Sequence, residues 1–161
     1  MWHMMYIHST VNLIQVPAAE ANKLNKHKKG KKMAKSDRFE KGMVVRRKVL
    51  GDAYVDQAMQ KADDFSMPLQ DFVTENAWGT VWVRDGLTLK QRSLITVSAI
   101  IAMNRPHELK LHIRGALNNG VTKEELREVF LHCGAYCGAP AVVDSFRIAR
   151  EVFAEDAKAA G

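Results

Sequence analysis

Arg105, Glu108 and His112 combine anion-binding and acid–base groups at helical spacing. Asn104-Arg105-Pro106 is a helix-start signal with proline in the first turn. A helix starting there sets the three residues at i, i+3 and i+7, along one stripe. A cation, a carboxylate and an imidazole on one face of a largely apolar element are costly to bury. That cost points to a polar pocket or a buried ion network. Glu108, four residues before His112, can raise the imidazole pKa and hold one tautomer. The plainer alternative is a satisfied, partly buried histidine. His107 is expected on another face. No third ligand stands at metal-like spacing, so no metal site is expected.

Three further groups could carry chemistry. Glu75, Trp78 and Trp82 lie at i, i+3 and i+7, with Arg84 just beyond. They read either as a half-buried aromatic stripe with a polar edge or as a pocket wall rimmed by a carboxylate and a cation. Arg92 stands one turn into an apolar segment, where it can snorkel, pair with a carboxylate, or clamp an anion with its guanidinium fork. Cys133 and Cys137 are at i, i+4, not Cys-x-x-Cys, and read as two buried thiols. The sequence contains no Gly-x-Gly-x-x-Gly, no phosphate loop and no Gly-x-Ser-x-Gly elbow.

The elements that must position these residues are all helical. Ser36 can cap a helix carrying Phe39, Met43, Val44 and Val49 toward Gly51-Asp52. Asp52 starts the next helix. Pro68 opens one that carries Leu69, Phe72, Val73 and Trp78. Gly79 should weaken it by roughly 1 kcal/mol relative to alanine, so a packing or functional reason is expected there. Arg84-Asp85-Gly86 is a turn. Thr88 caps the segment Leu89 to Met103, whose composition predicts burial nearly all round. The helix after Pro106 stops at Asn118-Asn119-Gly120, and Thr122 with Glu125 forms a capping box for the next. Gly134 to Pro140 reads as a small-residue break before a last helix, Ala141 to Ala160. No hairpin or alternating run competes with an all-α fold.

The 161 residues suit one domain with a sizeable core. The net charge of +6 is unevenly spread. Residues 1–48 carry +9, and the remainder carries −3. A mildly acidic body argues against a nucleic-acid-binding core. Residues 1–35, lysine-rich from Asn22, read as a basic, disordered extension, with a polyanion-binding arm as the alternative. Met33 or Met43 is considered as the biological start. Residues 36–161 form the expected domain. Two cysteines and no membrane-length apolar run favour a reducing cytoplasm.

The residues also carry a family resemblance. Its parts are Glu75-Asn-Ala-Trp-Gly79-Thr-Val-Trp-Val-Arg84, Leu87 through Arg92-Ser-Leu, the run Glu108 to Glu125 with His112 and Asn-Asn-Gly120, and Tyr136-Cys-Gly-Ala-Pro140. Phe39 to Asp52 adds to it. In order and spacing these segments resemble the carboxymuconolactone decarboxylase family, from about Arg38 to about Phe153. The resemblance implies an all-α, alkylhydroperoxidase-like domain assembling as a homo-oligomer, commonly a hexamer. It implies cofactor-free decarboxylation of an unsaturated lactone with two carboxylates, in the protocatechuate branch of the β-ketoadipate pathway. It offers roles as well. His112, tuned by Glu108, would donate a proton or hold an oxyanion. Arg92, Arg84, Arg105 or Arg46 would bind carboxylates. Trp78, Trp82 and Tyr136 would wall the pocket. Glu75 would act at the site or position an arginine. The superfamily's redox Cys-x-x-Cys would align with Arg105 and Glu108, so peroxidase chemistry is poorly supported. A paralogue on another lactone or acid, a thiol peroxidase using Cys133 and Cys137, and a non-catalytic oligomeric binding protein remain as alternatives.

Overall fold

The computed structural model describes residues 34–160, and the predicted extension up to residue 33 lies outside them. The compact unit begins at Lys35, which pairs with Asp71 at 2.6 Å and lies over the Phe39 ring. Among the described residues there are seven α-helices, one π-helix and no strand. They are α1 (Asp37–Leu50), α2 (Asp52–Gln60), α3 (Met67–Val73), the π-helix Thr74–Trp82, α4 (Leu89–Ala102), α5 (Pro106–Asn118), α6 (Lys123–Cys137) and α7 (Ala139–Ala160). No helix among the described residues is long and apolar enough to cross a membrane.

The local start signals work as chemistry predicts. The Ser36 hydroxyl accepts from the Phe39 amide. Thr88 with Gln91 and Thr122 with Glu125 close reciprocal capping boxes. Each such cap is worth about 1 kcal/mol.

The core has two parts. α4 to α7 bury Val97, Ile100, Ile113, Leu126, Phe130 and Val152 in one cluster, each large side chain contributing about 1.5–3 kcal/mol. A smaller cluster joins Val49 of α1 to Trp78 and Trp82 of the π-helix. α1 links the two. The Asn118 amide on α5 donates to the Val49 carbonyl at 2.9 Å.

Four expectations need correction. The helix opened by Pro68 does not stay α. From Thr74 it widens to π spacing, and the Thr80 hydroxyl donates to the Glu75 carbonyl five residues back. Trp78 and Trp82 still share one buried face, and Glu75 accepts from the Ser36 hydroxyl at its polar edge. α4 is not buried all round: its core stripe is Ser93, Val97, Ile100 and Ile101, while Ile95 is 55% exposed. The stretch after Gly134 is still helix. The break falls at Gly138, whose φ of +87° suits a residue without a Cβ. Finally, Cys133 is buried but Cys137 is exposed.

Gly79 has the packing reason its position called for. A Cβ on it would lie 2.1 Å from the Arg38 carbonyl oxygen. A Cβ on Gly42 would lie 2.2 Å from the Thr74 carbonyl oxygen and 2.6 Å from the Gly79 nitrogen. The two glycines are the crossing point of α1 and the π-helix.

Candidate active site

That crossing aims Arg46 of α1 at the start of the π-helix. Its Nη1 donates to the Thr74 hydroxyl at 2.8 Å, and its Nη2 to the Gln70 amide oxygen at 2.8 Å. Arg46 is only 4% exposed, and its Nε has no partner. Both of its partners are neutral, and no carboxylate forms an ion pair with it among the described residues. Burial pulls the guanidinium pKa below its ordinary value. A buried cation held only by neutral groups keeps its attraction for an anion.

Arg46 opens onto a cavity of about 500 Å³. α1, α2, α3 and the π-helix form one side, with Tyr54, Leu69, Gln70 and Trp78 among the walls. α5 forms the other, with His107, Glu108, Leu111 and His112. Trp78 is buried and packs against Trp82 with ring centroids 4.7 Å apart. Lys110 and Arg114 also line the cavity. Both are already neutralised by α7. Lys110 pairs with Glu155 at 2.7 Å, and Arg114 pairs with Glu155 and, at 3.5 Å, with Asp156.

His112 is half-buried. Burial pulls its pKa below the ordinary histidine value, and the Glu108 charge pulls it up by less. The expected rise from Glu108 is thus reversed by desolvation, which favours the neutral imidazole over its charged form. A neutral ring still offers one N–H donor. If that form acts, the acid limb of kcat lies below the ordinary histidine value of about 6.5. Glu108→Gln, by removing the raising charge, should move the limb lower still. His107, Lys110, Arg114, Arg46 and Tyr54 also border the cavity, so the check is the shift on that one substitution. A limb that moves up, or stays, removes His112 as its origin. The linked stability has the same sign. Because the folded state resists protonating His112, its contribution is full above about 6.5 and is lost as pH falls from there through the lower folded value.

Of the residues expected at the site, the structure brings Arg46, Trp78, Glu108 and His112 to one cavity. The others lie elsewhere in the chain. Glu75 accepts a hydrogen bond from the Ser36 hydroxyl beside the α1 cap. Arg92 donates to the Arg84 carbonyl at 2.8 Å, tying α4 to the preceding turn, and the Arg84 side chain is exposed. Arg105 is exposed at the start of α5. Trp82 supports Trp78 from behind. Tyr136 is 79% exposed and lies against the His132 ring. His107 lines the cavity although it was expected on another face. Its stripe with Lys110, Leu111 and Arg114 is itself a readable i, i+3, i+4, i+7 pattern. The Arg46–Thr74–Gln70 group had no such signal, because its members are 24 and 28 residues apart.

Comparison with known proteins agrees with this architecture. Residues 68–151 match the carboxymuconolactone decarboxylase family. The 4-carboxymuconolactone decarboxylase of Acinetobacter baylyi is 42% identical over 121 residues, covering 75% of this chain and 90% of that one. The nitrosuccinic acid decarboxylase of Metarhizium robertsii is 48% identical over 113 residues, covering 70% and 79%. A 4-carboxymuconolactone decarboxylase sequence of Pseudomonas putida is 45% identical over 47 residues. The chain belongs to the carboxymuconolactone decarboxylase family and is, by class, a decarboxylase.

Proposed function

We propose that this protein decarboxylates a small dicarboxylate whose own acceptor group takes the electrons, with 4-carboxymuconolactone as the first substrate and 3-oxoadipate enol-lactone as the product. The observation that carries this is the buried Arg46, which lines the cavity and pairs with no carboxylate among the described residues. In the lactone, the departing carboxylate sits on a ring carbon joined through a double bond to the lactone carbonyl. When the carbon–carbon bond breaks, its electron pair moves through the double bond into that carbonyl, and carbon dioxide leaves. The resulting furan-like enolate takes a proton from solvent at the ring carbon next to the carbonyl, giving the enol-lactone. No cofactor is needed as an electron sink. Neutral His112 is the donor for the carbonyl oxygen, where charge develops. Trp78 and Leu111 keep the site partly dry, which strengthens these interactions.

A second substrate has a specific observation in its favour, the 48% identity to the nitrosuccinic acid enzyme. Nitrosuccinic acid is also a dicarboxylic acid. Its nitro group can take the electron pair as a nitronate. The two reactions thus ask the same thing of a site: one anchored carboxylate, one departing carboxylate, and a donor at the acceptor.

The test is direct turnover. 4-Carboxymuconolactone is generated in situ from protocatechuate, the protein is added without metal or cofactor, and carbon dioxide and enol-lactone are followed. Nitrosuccinate is assayed in parallel. Release well above the spontaneous rate on either substrate supports the reading and ranks the two; no acceleration on both by folded protein overturns it. His112→Ala should lower kcat by about 10²–10³-fold, as loss of an oxyanion donor does. Near wild-type turnover would remove His112 from the mechanism.

We further read the functional form as a homo-oligomer, hexameric on the family resemblance. Ile95, Leu131, Tyr136 and Val143 are exposed on α4, α6 and α7, which supports burial between copies. Free Cys133 and Cys137 fit a reducing cytoplasm. The pathway is that of protocatechuate if the lactone is the preferred substrate.

A further inference from the structure

We propose that Arg46 holds the carboxylate the substrate keeps, and that the carboxylate it loses faces α5 beside Glu108 and His112. The inference rests on the decarboxylase reading above and adds an orientation to it.

The argument is one of charge. The cavity has cations on both sides, but they are not equivalent. Lys110 and Arg114 are matched by Glu155 and Asp156 together, with Glu151 3.8 Å from Lys110, so they add little net attraction for a further anion. Arg46 pairs with no carboxylate among the described residues, and a carboxylate reaching its guanidinium from the cavity would meet a largely desolvated cation. This is the strongest anion attraction the cavity offers.

Where that attraction is spent decides whether it helps. Decarboxylation turns an anionic carboxylate into neutral carbon dioxide. A cation on the departing group stabilises the reactant more than the transition state and raises the barrier. The same cation on the retained group acts equally in both states, lowering KM without slowing the step. The α5 side has the opposite character. With Lys110 and Arg114 paired to α7, what remains there is the Glu108 carboxylate, which pairs with no cation among the described residues, beside the His112 ring. A departing carboxylate there loses an unfavourable neighbour as it becomes carbon dioxide, and the electron pair it leaves behind moves to the acceptor oxygen that the His112 N–H can reach.

Thr74 and Gln70 are then positioning residues. They hold the fork of Arg46 through neutral acceptors, so that its charge is not cancelled. This also explains why the clamp is built on the π-helix: Thr74 is its first residue, fully buried, and Trp78 stands one wide turn on.

The product separates the two orientations because it keeps only the retained carboxylate. Turnover of the dicarboxylate and competitive inhibition by its monocarboxylate product are measured in wild type, Arg46→Met and Arg46→Lys, with folding checked by circular dichroism. The expected result is a parallel rise in substrate KM and product Ki, on the order of 100-fold in Arg46→Met. The lysine variant should fall between, and kcat should change by less than about 10-fold. A raised KM with unchanged product Ki would mean that Arg46 held the departing group. A fall in kcat at constant KM would place Arg46 in the transition state instead. Should Arg46→Met not fold, Thr74→Val raises KM and Ki together and Thr74→Ser restores both; no effect of Thr74→Val on either overturns the clamp. Absence of wild-type turnover would defeat the decarboxylase reading itself, whereas turnover with an indifferent product Ki defeats only the orientation.

Discussion

Gly79→Ala will cost the fold about 3 kcal/mol or more, the upper range for overpacking. The added methyl would stand 2.1 Å from the Arg38 carbonyl oxygen and 2.8 Å from its carbon. Those atoms are backbone of α1 and have no rotamer to yield. Relief requires α1 and the π-helix to separate, and that separation opens the Val49, Trp78 and Trp82 cluster. Gly42→Ala meets the same crossing from the other side and should cost a similar amount. The pair should be strongly non-additive, since either change alone already parts the helices. Gly86→Ala is the control, because nothing lies within 4 Å of its Cβ. Urea or thermal unfolding reads all four proteins. A Gly79→Ala melting curve matching that of Gly86→Ala would show that the crossing can relax without loss.

Arg46→Met will show the opposite sign. It should leave the unliganded protein as stable as wild type or more so, while removing most of its affinity for dicarboxylates. The side chain is 4% exposed and has no counter-charge, so its cation is a burden on the empty fold. Methionine is a flexible apolar replacement that can fill the channel. The hydrogen bonds lost at Thr74 and Gln70 have a charged donor and are worth about 1.5–3 kcal/mol each, set against the desolvation cost of a guanidinium with no counter-charge. Melting with and without a saturating dicarboxylate is the measurement. Wild type should gain stability on adding the ligand and the variant should not. A variant that melts well below wild type would identify Arg46 as a structural strut.

Much of this architecture was legible in the sequence where its causes are local. Ser36, Thr88, Thr122, Pro106 and Gly120 act through neighbours within four residues, and the helices begin and end near them. Glu108 and His112 were legible as a pair because one helix turn joins them. The Trp78 and Trp82 pair is legible as an aromatic stripe, whereas the π spacing of the stretch that carries it has no local signal. Arg92 reads as an anion clamp on residue type; in the structure its Nη2 donates to the Arg84 carbonyl eight residues back, its buried Nε has no partner, and it lies outside the cavity that Arg46 lines. Arg46 was one arginine among four candidates. Only the fold could single it out, by placing two neutral acceptors around it and excluding carboxylates.

The two apolar clusters are separate, and the cavity lies along the seam between them. Mechanically, the α1 and π-helix layer is joined to the α4–α7 body where Val49 packs at Gly115, where Leu89 meets the smaller cluster, and through the Asn118 bond. A ligand anchored at Arg46 and contacting α5 would act as a rivet across that joint. The site then has its greatest stiffness when it is full, and its greatest compliance when substrate must enter or product must leave.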